Sequence, residues 1–180
     1  MRKIVLGLAV SLDGYIEGPN GEYDWCFTDQ DYGLNEFFKR IDSIFVGRKT
    51  YEMALAGDGQ ESWLPKMREY IFSTTLTEVD ISPQKTLISG DIEARVKAIK
   101  NQKGKDIWLF GGAELSNPLL DHGLVVDIWL SIHPIILGAG KPLFSSLKER
   151  RWLTLTDSKV YETGLVSLKY DCKWDTTETA

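Results

Sequence analysis

Asp106-Ile107-Trp108-Leu109-Phe110-Gly111-Gly112-Ala113-Glu114-Leu115 reads as a short apolar strand, a pair of glycines and the first turn of a helix. Glycine at that junction lets the backbone approach a ligand closely, and the free N–H groups and dipole of a helix start suit a phosphate. A tight strand-to-helix turn that binds nothing has the same pattern. Pro118 leaves a second choice of helix start, with Asn117 as cap and Pro118 as first helical residue, one turn beyond the glycines.

Working outward, the chain repeats this pattern. Ile44-Phe45-Val46 is a buried strand followed by Gly47-Arg48-Lys49-Thr50, where two cations can neutralise a phosphate and the Thr50 hydroxyl can donate to it while capping a helix. Tyr70-Ile71-Phe72 ends in Ser73-Thr74-Thr75. Ligands of parallel α/β sheets collect at the carboxyl ends of strands, so three such ends together point to a cofactor with more than one phosphate. Ile4 to Val10, Thr86 to Ile88 and Ile128 to Ile132 complete a set of apolar, β-branched runs. Between runs, Leu34, Phe37, Phe38 and Ile41 share a helical face, as do Ile92, Val96 and Ile99. This alternation predicts one α/β domain over residues 1–180 with a twisted, mostly parallel sheet and flanking helices. The runs Trp152 to Val160 and Gly164 to Lys173, separated by a short turn, predict a C-terminal antiparallel hairpin. The tail from Asp175 to Ala180 is polar enough to fray.

Asp13 to Asp31 has no periodic pattern, yet it gathers Tyr15, Tyr23, Trp25 and Phe27 with Asp24, Asp29 and Asp31. It is either a lid or binding loop or a surface loop whose aromatics cap the core.

Several classes of function are disfavoured. The chain of 180 residues carries a formal net charge of −5, with its basic residues scattered, so nucleic acid is not an expected partner. Cys26 and Cys172 stand far apart without metal spacing, and His122 and His133 lack ligand companions, so no metal is expected. Gly138-Ala139-Gly140-Lys141-Pro142 has proline where a triphosphate loop needs Ser or Thr, and is read as a glycine-rich loop near the ligand cleft. The Ile4 to Val10 run leads into Ser11-Leu12-Asp13-Gly14 without a cleavage pattern, and no apolar segment reaches membrane length. A cytoplasmic protein with a small-molecule substrate is expected.

Leu8-Ala9-Val10-Ser11-Leu12-Asp13-Gly14-Tyr15-Ile16, Gly47-Arg48-Lys49-Thr50-Tyr51-Glu52, Phe110-Gly111-Gly112-Ala113-Glu114-Leu115, and the stretch from Ile132 to Phe144 resemble, in order, one family. This is the dihydrofolate-reductase-like superfamily and, within it, the C-terminal reductase domain of the riboflavin-biosynthesis deaminase/reductase. The resemblance implies NADPH across the carboxyl strand ends. Ala9 would lie at the nicotinamide side, Gly47, Arg48, Lys49 and Thr50 at cofactor phosphate, and Ser73 and Thr74 at the 2′-phosphate. Gly111, Gly112, Ala113, Glu114 and Leu115 would lie at the pyrophosphate, and Trp25 would line the nicotinamide cleft on the substrate side. The zinc ligands of the deaminase domain are missing, which implies a stand-alone reductase. Phe110 stands where those reductases hold a glutamate that contacts substrate, and Leu34 stands where folate reductases hold their proton-relaying carboxylate. Asp31, one turn earlier, is the substitute, expected to be buried beside the cleft. The substitutions at Leu34 and Phe110 keep open an idle NADP-binding module of the same fold. The strand of Trp129, Leu130 and Ile132 and the final hairpin are candidates for a homodimer interface.

Overall fold

The computed structural model describes residues 1–56, 64–78 and 82–174. The tail predicted to fray lies outside the described residues.

Alternation of apolar side chains along the first strand sets the layers. In β1 (Ile4–Ser11), Ile4 and Leu6 point to one face of the sheet and Val5 to the other. The first face packs on α3 (Ile92–Lys100) and α4 (Ala113–Asp121) through Val96, Ile99, Leu115, Leu119 and Leu120. The second packs on α1 (Leu34–Arg40) and α2 (Arg48–Ala56) through Phe37 and Tyr51. Two helices thus cover each face.

The sheet runs β5 (Lys85–Ile88), β4 (Arg68–Phe72), β3 (Ile41–Gly47), β6 (Asp106–Gly111), β1, β7 (Asp127–His133), β10 (Val166–Asp171), β9 (Thr154–Val160). The pairings from β5 to β7 are parallel, whereas β10 joins β7 and β9 antiparallel. The predicted mostly parallel α/β sheet with a terminal hairpin is therefore present. From β1 the chain moves outward through β3, β4 and β5, then returns to insert β6 between β1 and β3. That reversal opens a crevice at the carboxyl ends of β1, β6 and β3, where α/β sheets take their ligands.

Three local expectations are corrected. Ile41 belongs to β3 and not to the helical face: its backbone is extended (φ −107°, ψ 143°), and α1 passes straight into the strand. β-Branched Ile41 fits that pleat better than another helical turn. Pro118 lies inside α4, which starts at Ala113 because the Gly112 carbonyl accepts from the N–H groups of Leu115 and Ser116. The aperiodic segment also contains a strand, β2 (Tyr15–Glu17), paired with β8 (Lys141–Pro142). A three-residue strand is too short to show alternation, and its partner lies more than a hundred residues away.

Candidate functional site

The carboxyl ends of β3 and β6 meet at glycines. A Cβ placed on Gly47 would lie 3.6 Å from the Gly111 carbonyl oxygen and 3.7 Å from the Gly112 nitrogen. Gly111 has φ +109°, a conformation that disfavours any side chain, and its peptide to Gly112 is cis. A Cβ on Gly112 would approach nothing nearer than 4.0 Å, where it meets Ile16 and the Lys141 amine. The turn therefore exposes backbone on one side and keeps a cation beside it.

The charges at this turn come from three elements. Glu114, in the first turn of α4, accepts from Lys49 Nζ at 2.9 Å and from Lys141 Nζ at 3.3 Å. Both lysines hold the Glu114 carboxyl below the usual carboxylate range. Arg48 turns away along α2 and binds both carboxylate oxygens of Glu52. Thr50 sits within the first turn of α2, so it does not cap it as expected. Ser73 is buried, and its hydroxyl accepts from the N–H groups of Thr75 and Leu76, which makes it a turn-former, while Thr74 is exposed. Gly47, Lys49, Gly111, Gly112 and Glu114 are thus brought together, Ala113 and Leu115 are buried behind them, and the Ser73 hydroxyl is already engaged in its own turn.

Lys141 was missed by sequence reasoning. It arrives because β8 pairs with β2, and Gly140 makes that pairing possible: with φ +142°, a Cβ there would overlap the Glu17 carbonyl oxygen. Asp13 fixes the same loop from the other side, accepting from the N–H groups of Leu137 and Gly138 and from the Ser11 hydroxyl.

On the α1 side of the sheet, Phe110 stacks edge-on against Trp108 at 4.8 Å, and Phe38 lies 5.6 Å from Trp108. Leu34 packs on the same cluster. Ala9 is half-buried near the end of β1, on the Val5 face by strand alternation. This wall is apolar. Asp31 is exposed rather than buried, and its carboxylate accepts from the N–H groups of Gly33 and Asn35 at the start of α1. An aspartate just ahead of a helix finds its best partners in the orphan N–H groups there.

His133 anchors the long loop. It is 3% exposed at the end of β7, and its Nε2 accepts from the Phe27 N–H at 3.1 Å while Nδ1 faces the Ser131 carbonyl at 3.0 Å. Trp25 meets the imidazole edge-on at 5.3 Å, and Phe27 lies 5.1 Å from it. This arrangement needs a neutral ring, and burial pushes its pKa below the ordinary value. The unfolded chain protonates near pH 6.5 and the folded one lower, so stability is full above about 6.5 and falls as pH drops toward the folded pKa. Protonation would also turn the Nε2 acceptor into a donor facing the Phe27 N–H. Acidification from pH 7.5 to 5 is expected to raise protease cleavage within residues 20–30 several-fold, and His133→Asn should flatten that pH dependence.

Among the described residues no group of three or more His, Cys, Asp or Glu is placed to hold a metal ion. No helix of the described residues is long and apolar enough to cross a membrane. Two depressions, about 260 Å³ beside Lys3, Arg40 and Asp127 and about 440 Å³ beside Arg2, Asp42 and Arg68, lie at the amino ends of the strands, away from the glycine turn.

Comparison with known proteins agrees with this fold. The "Uncharacterized protein YyaP" of Bacillus subtilis (strain 168) is 40% identical over 179 residues, covering 94% of each chain. The crystal structure of a "Putative riboflavin biosynthesis protein" from Shewanella sp. PV-4 superposes with a TM-score of 0.85 at 26% identity, covering 96% of this chain and 99% of that one. Dihydrofolate reductase from Enterococcus faecalis, complexed with NADP(H), shares the fold at a TM-score of 0.65 and 13% identity, covering 96% of this chain and 97% of that one. The model of the RibD C-terminal domain matches residues 2–167, and the chain belongs to the RibD C-terminal domain family.

Proposed function

We propose that the protein is an NADPH-dependent reductase of a small heterocyclic or nucleotide-like substrate. The observation that carries this reading is the meeting of Gly47, Gly111 and Gly112 with Lys49 and Lys141 at adjacent strand ends. The residues fit such a cofactor: a backbone turn without side chains lets a pyrophosphate approach, and the two amines now paired with the exposed Glu114 carboxylate can take a phosphate in its place. The bound NADP(H) of the Enterococcus faecalis reductase, which shares the fold, supports the same assignment.

NADPH, when bound, supplies the hydride, which leaves the chain to align two rings, exclude water and admit a proton. Ala9, with its small side chain near the end of β1, would leave room for the nicotinamide. Leu34, Phe38 and Phe110 would offer an apolar wall to the acceptor ring. The loop bearing Trp25 and Phe27, anchored by His133, closes the side. Proton delivery is not assigned to Asp31, whose carboxylate is exposed and occupied at α1. Asp31→Asn, which still caps, is expected to leave turnover within about threefold, while Asp31→Ala should cost about 1 kcal/mol in urea denaturation. A hundredfold loss in Asp31→Asn at unchanged stability would restore Asp31 as the acid.

Titration with NADPH followed by tryptophan emission, with Trp25→Phe as the control, tests the cofactor. No binding at millimolar NADPH would sink the reading. The apolar wall also keeps the idle binding module alive. NADPH binding without oxidation across dihydropterins, ribosylaminopyrimidines and quinonoid compounds would favour that module, and turnover of any of them would dismiss it.

A further inference from the structure

Parallel strands bring their amino ends to one side of the sheet, so the residues that enter them meet there. Arg2 precedes β1, Asp42 and Ser43 lie at the start of β3, Lys66 and Arg68 lead into β4, and Lys103 leads into β6. Register sets Ser43 beside Arg68 on one side and Ile107 on the other. The result is the depression of about 440 Å³ at the opposite end of the strands from the glycine turn. Four cations and a single carboxylate line it, in a chain whose formal net charge is −5.

The floor of this depression is fixed by hydrogen bonds. Arg2 is 5% exposed; its Nε donates to the Lys105 carbonyl at 2.6 Å, and its Nη2 donates to the Ser43 hydroxyl at 2.6 Å and to the Asp42 carboxylate. Gly104, with φ +157°, closes over the guanidinium: a Cβ there would lie 2.7 Å from Asp42 Oδ2 and 3.1 Å from the central guanidinium carbon. Asp42 is fully spent, since it also accepts from the Ser43 hydroxyl at 2.9 Å and from the Lys105 N–H at 2.8 Å. Nη1 of Arg2 donates to no group among the described residues and is not sealed in by protein, so this corner of the fork opens to the depression.

The rim is short of anions. Lys66 and Lys103 are exposed and make no ion pair among the described residues, and Arg68 reaches the Tyr70 hydroxyl at 3.5 Å. By contrast Arg40, at the other depression, already bridges Asp106 and Asp127. Cations gathered without carboxylates repel one another, and a bound anion removes that cost.

We propose that this depression is a second ligand site, separate from the glycine turn, for a small molecule that carries two or more linked phosphate groups. An excess of three positive charges requires more than one negative charge in the ligand, and guanidinium forks and amines suit phosphate oxygens. The volume lies in the range of small-molecule pockets, and a pit, unlike an extended basic stripe, does not follow a nucleic-acid strand. Arg2, already held by three partners, has little side-chain freedom left to lose on binding.

Isothermal titration of tripolyphosphate at low salt into the Lys49→Ala/Lys141→Ala chain, which lacks the amines at the glycine turn, keeps the outcome independent of the cofactor assignment. One site with a dissociation constant on the order of 10–100 μM is expected, and orthophosphate should bind at least about tenfold more weakly. Adding Lys66→Gln/Arg68→Gln/Lys103→Gln should weaken tripolyphosphate at least about thirtyfold. The control Lys148→Gln/Arg150→Gln/Arg151→Gln removes equal charge from residues that do not line the depression, and should change affinity less than about threefold. Arg2 is kept, because its removal would strand Asp42. Adenosine triphosphate in parallel separates the sources: a nucleotide ligand predicts tighter binding than tripolyphosphate, a free oligophosphate equal or weaker binding, and both must be lost with the rim cations. Should the rim variant fail to fold, deuterium exchange on the unaltered chain decides: tripolyphosphate should slow the amides of residues 66–69 and 101–105. Absence of binding, equal weakening by the two triple substitutions, or unchanged exchange at those amides would each overturn the proposal.

Discussion

Replacing Lys49 and Lys141 together by alanine is expected to weaken NADPH binding about a hundredfold, read by isothermal titration at low salt. Each amine can give a charge-assisted hydrogen bond worth about 1.5–3 kcal/mol in a shielded site. Lys49 is more than half exposed, so the lower end applies, and the pair together loses about 3 kcal/mol, or about two decades in affinity. The bridges these lysines make to Glu114 are exposed and worth little, so a pyrophosphate can displace that carboxylate at small cost. Glu114→Gln should therefore act in the opposite sense and tighten NADPH about two- to fivefold by removing a like charge. Raising salt should narrow both differences. Unchanged affinity in the double lysine variant would show that phosphate is held elsewhere.

Gly140→Ala is expected to destabilise the protein by about 2–4 kcal/mol and to weaken NADPH as well. The position has φ +142°, and the added Cβ would overlap the Glu17 carbonyl oxygen, so β2 and β8 would have to separate. Lys141 would move with β8, which couples the stability loss to the cofactor. Gly138, two residues earlier, supplies the control. Its φ is +72°, but a Cβ there meets nothing within 4 Å, so Gly138→Ala should cost about 1 kcal/mol and spare NADPH. Equal midpoints of the two variants in urea would refute the steric argument.

Most of the fold was legible in local patterns. Runs such as Ile107 to Leu109 and Ile128 to Leu130 are apolar on both sides because they are buried on both sides, which marks parallel strands. The glycines at 47, 111 and 112 were legible for a similar reason: each strand end announces itself by residues next to it in the chain. Ile41 was misassigned because helical and extended periods agree over so short a stretch. Thr50 does not cap α2 because the helix already begins at Arg48, and the Ser73 hydroxyl serves its own backbone turn, which spacing alone does not reveal.

The sequence by itself determined the alternation of strands and helices and the places where the backbone is left open by glycine. These are properties of residue type and near-neighbour spacing. Only the tertiary structure decided that Lys141 stands beside Gly112, that Glu114 holds two lysines, that Asp31 is spent on α1, and that His133 pins the loop bearing Trp25. Each of those facts depends on groups brought together by sheet order or on which backbone N–H a side chain reaches first. Spacing along the chain carries neither, because the order β3-β6-β1-β7 is set by which apolar faces bury best against one another.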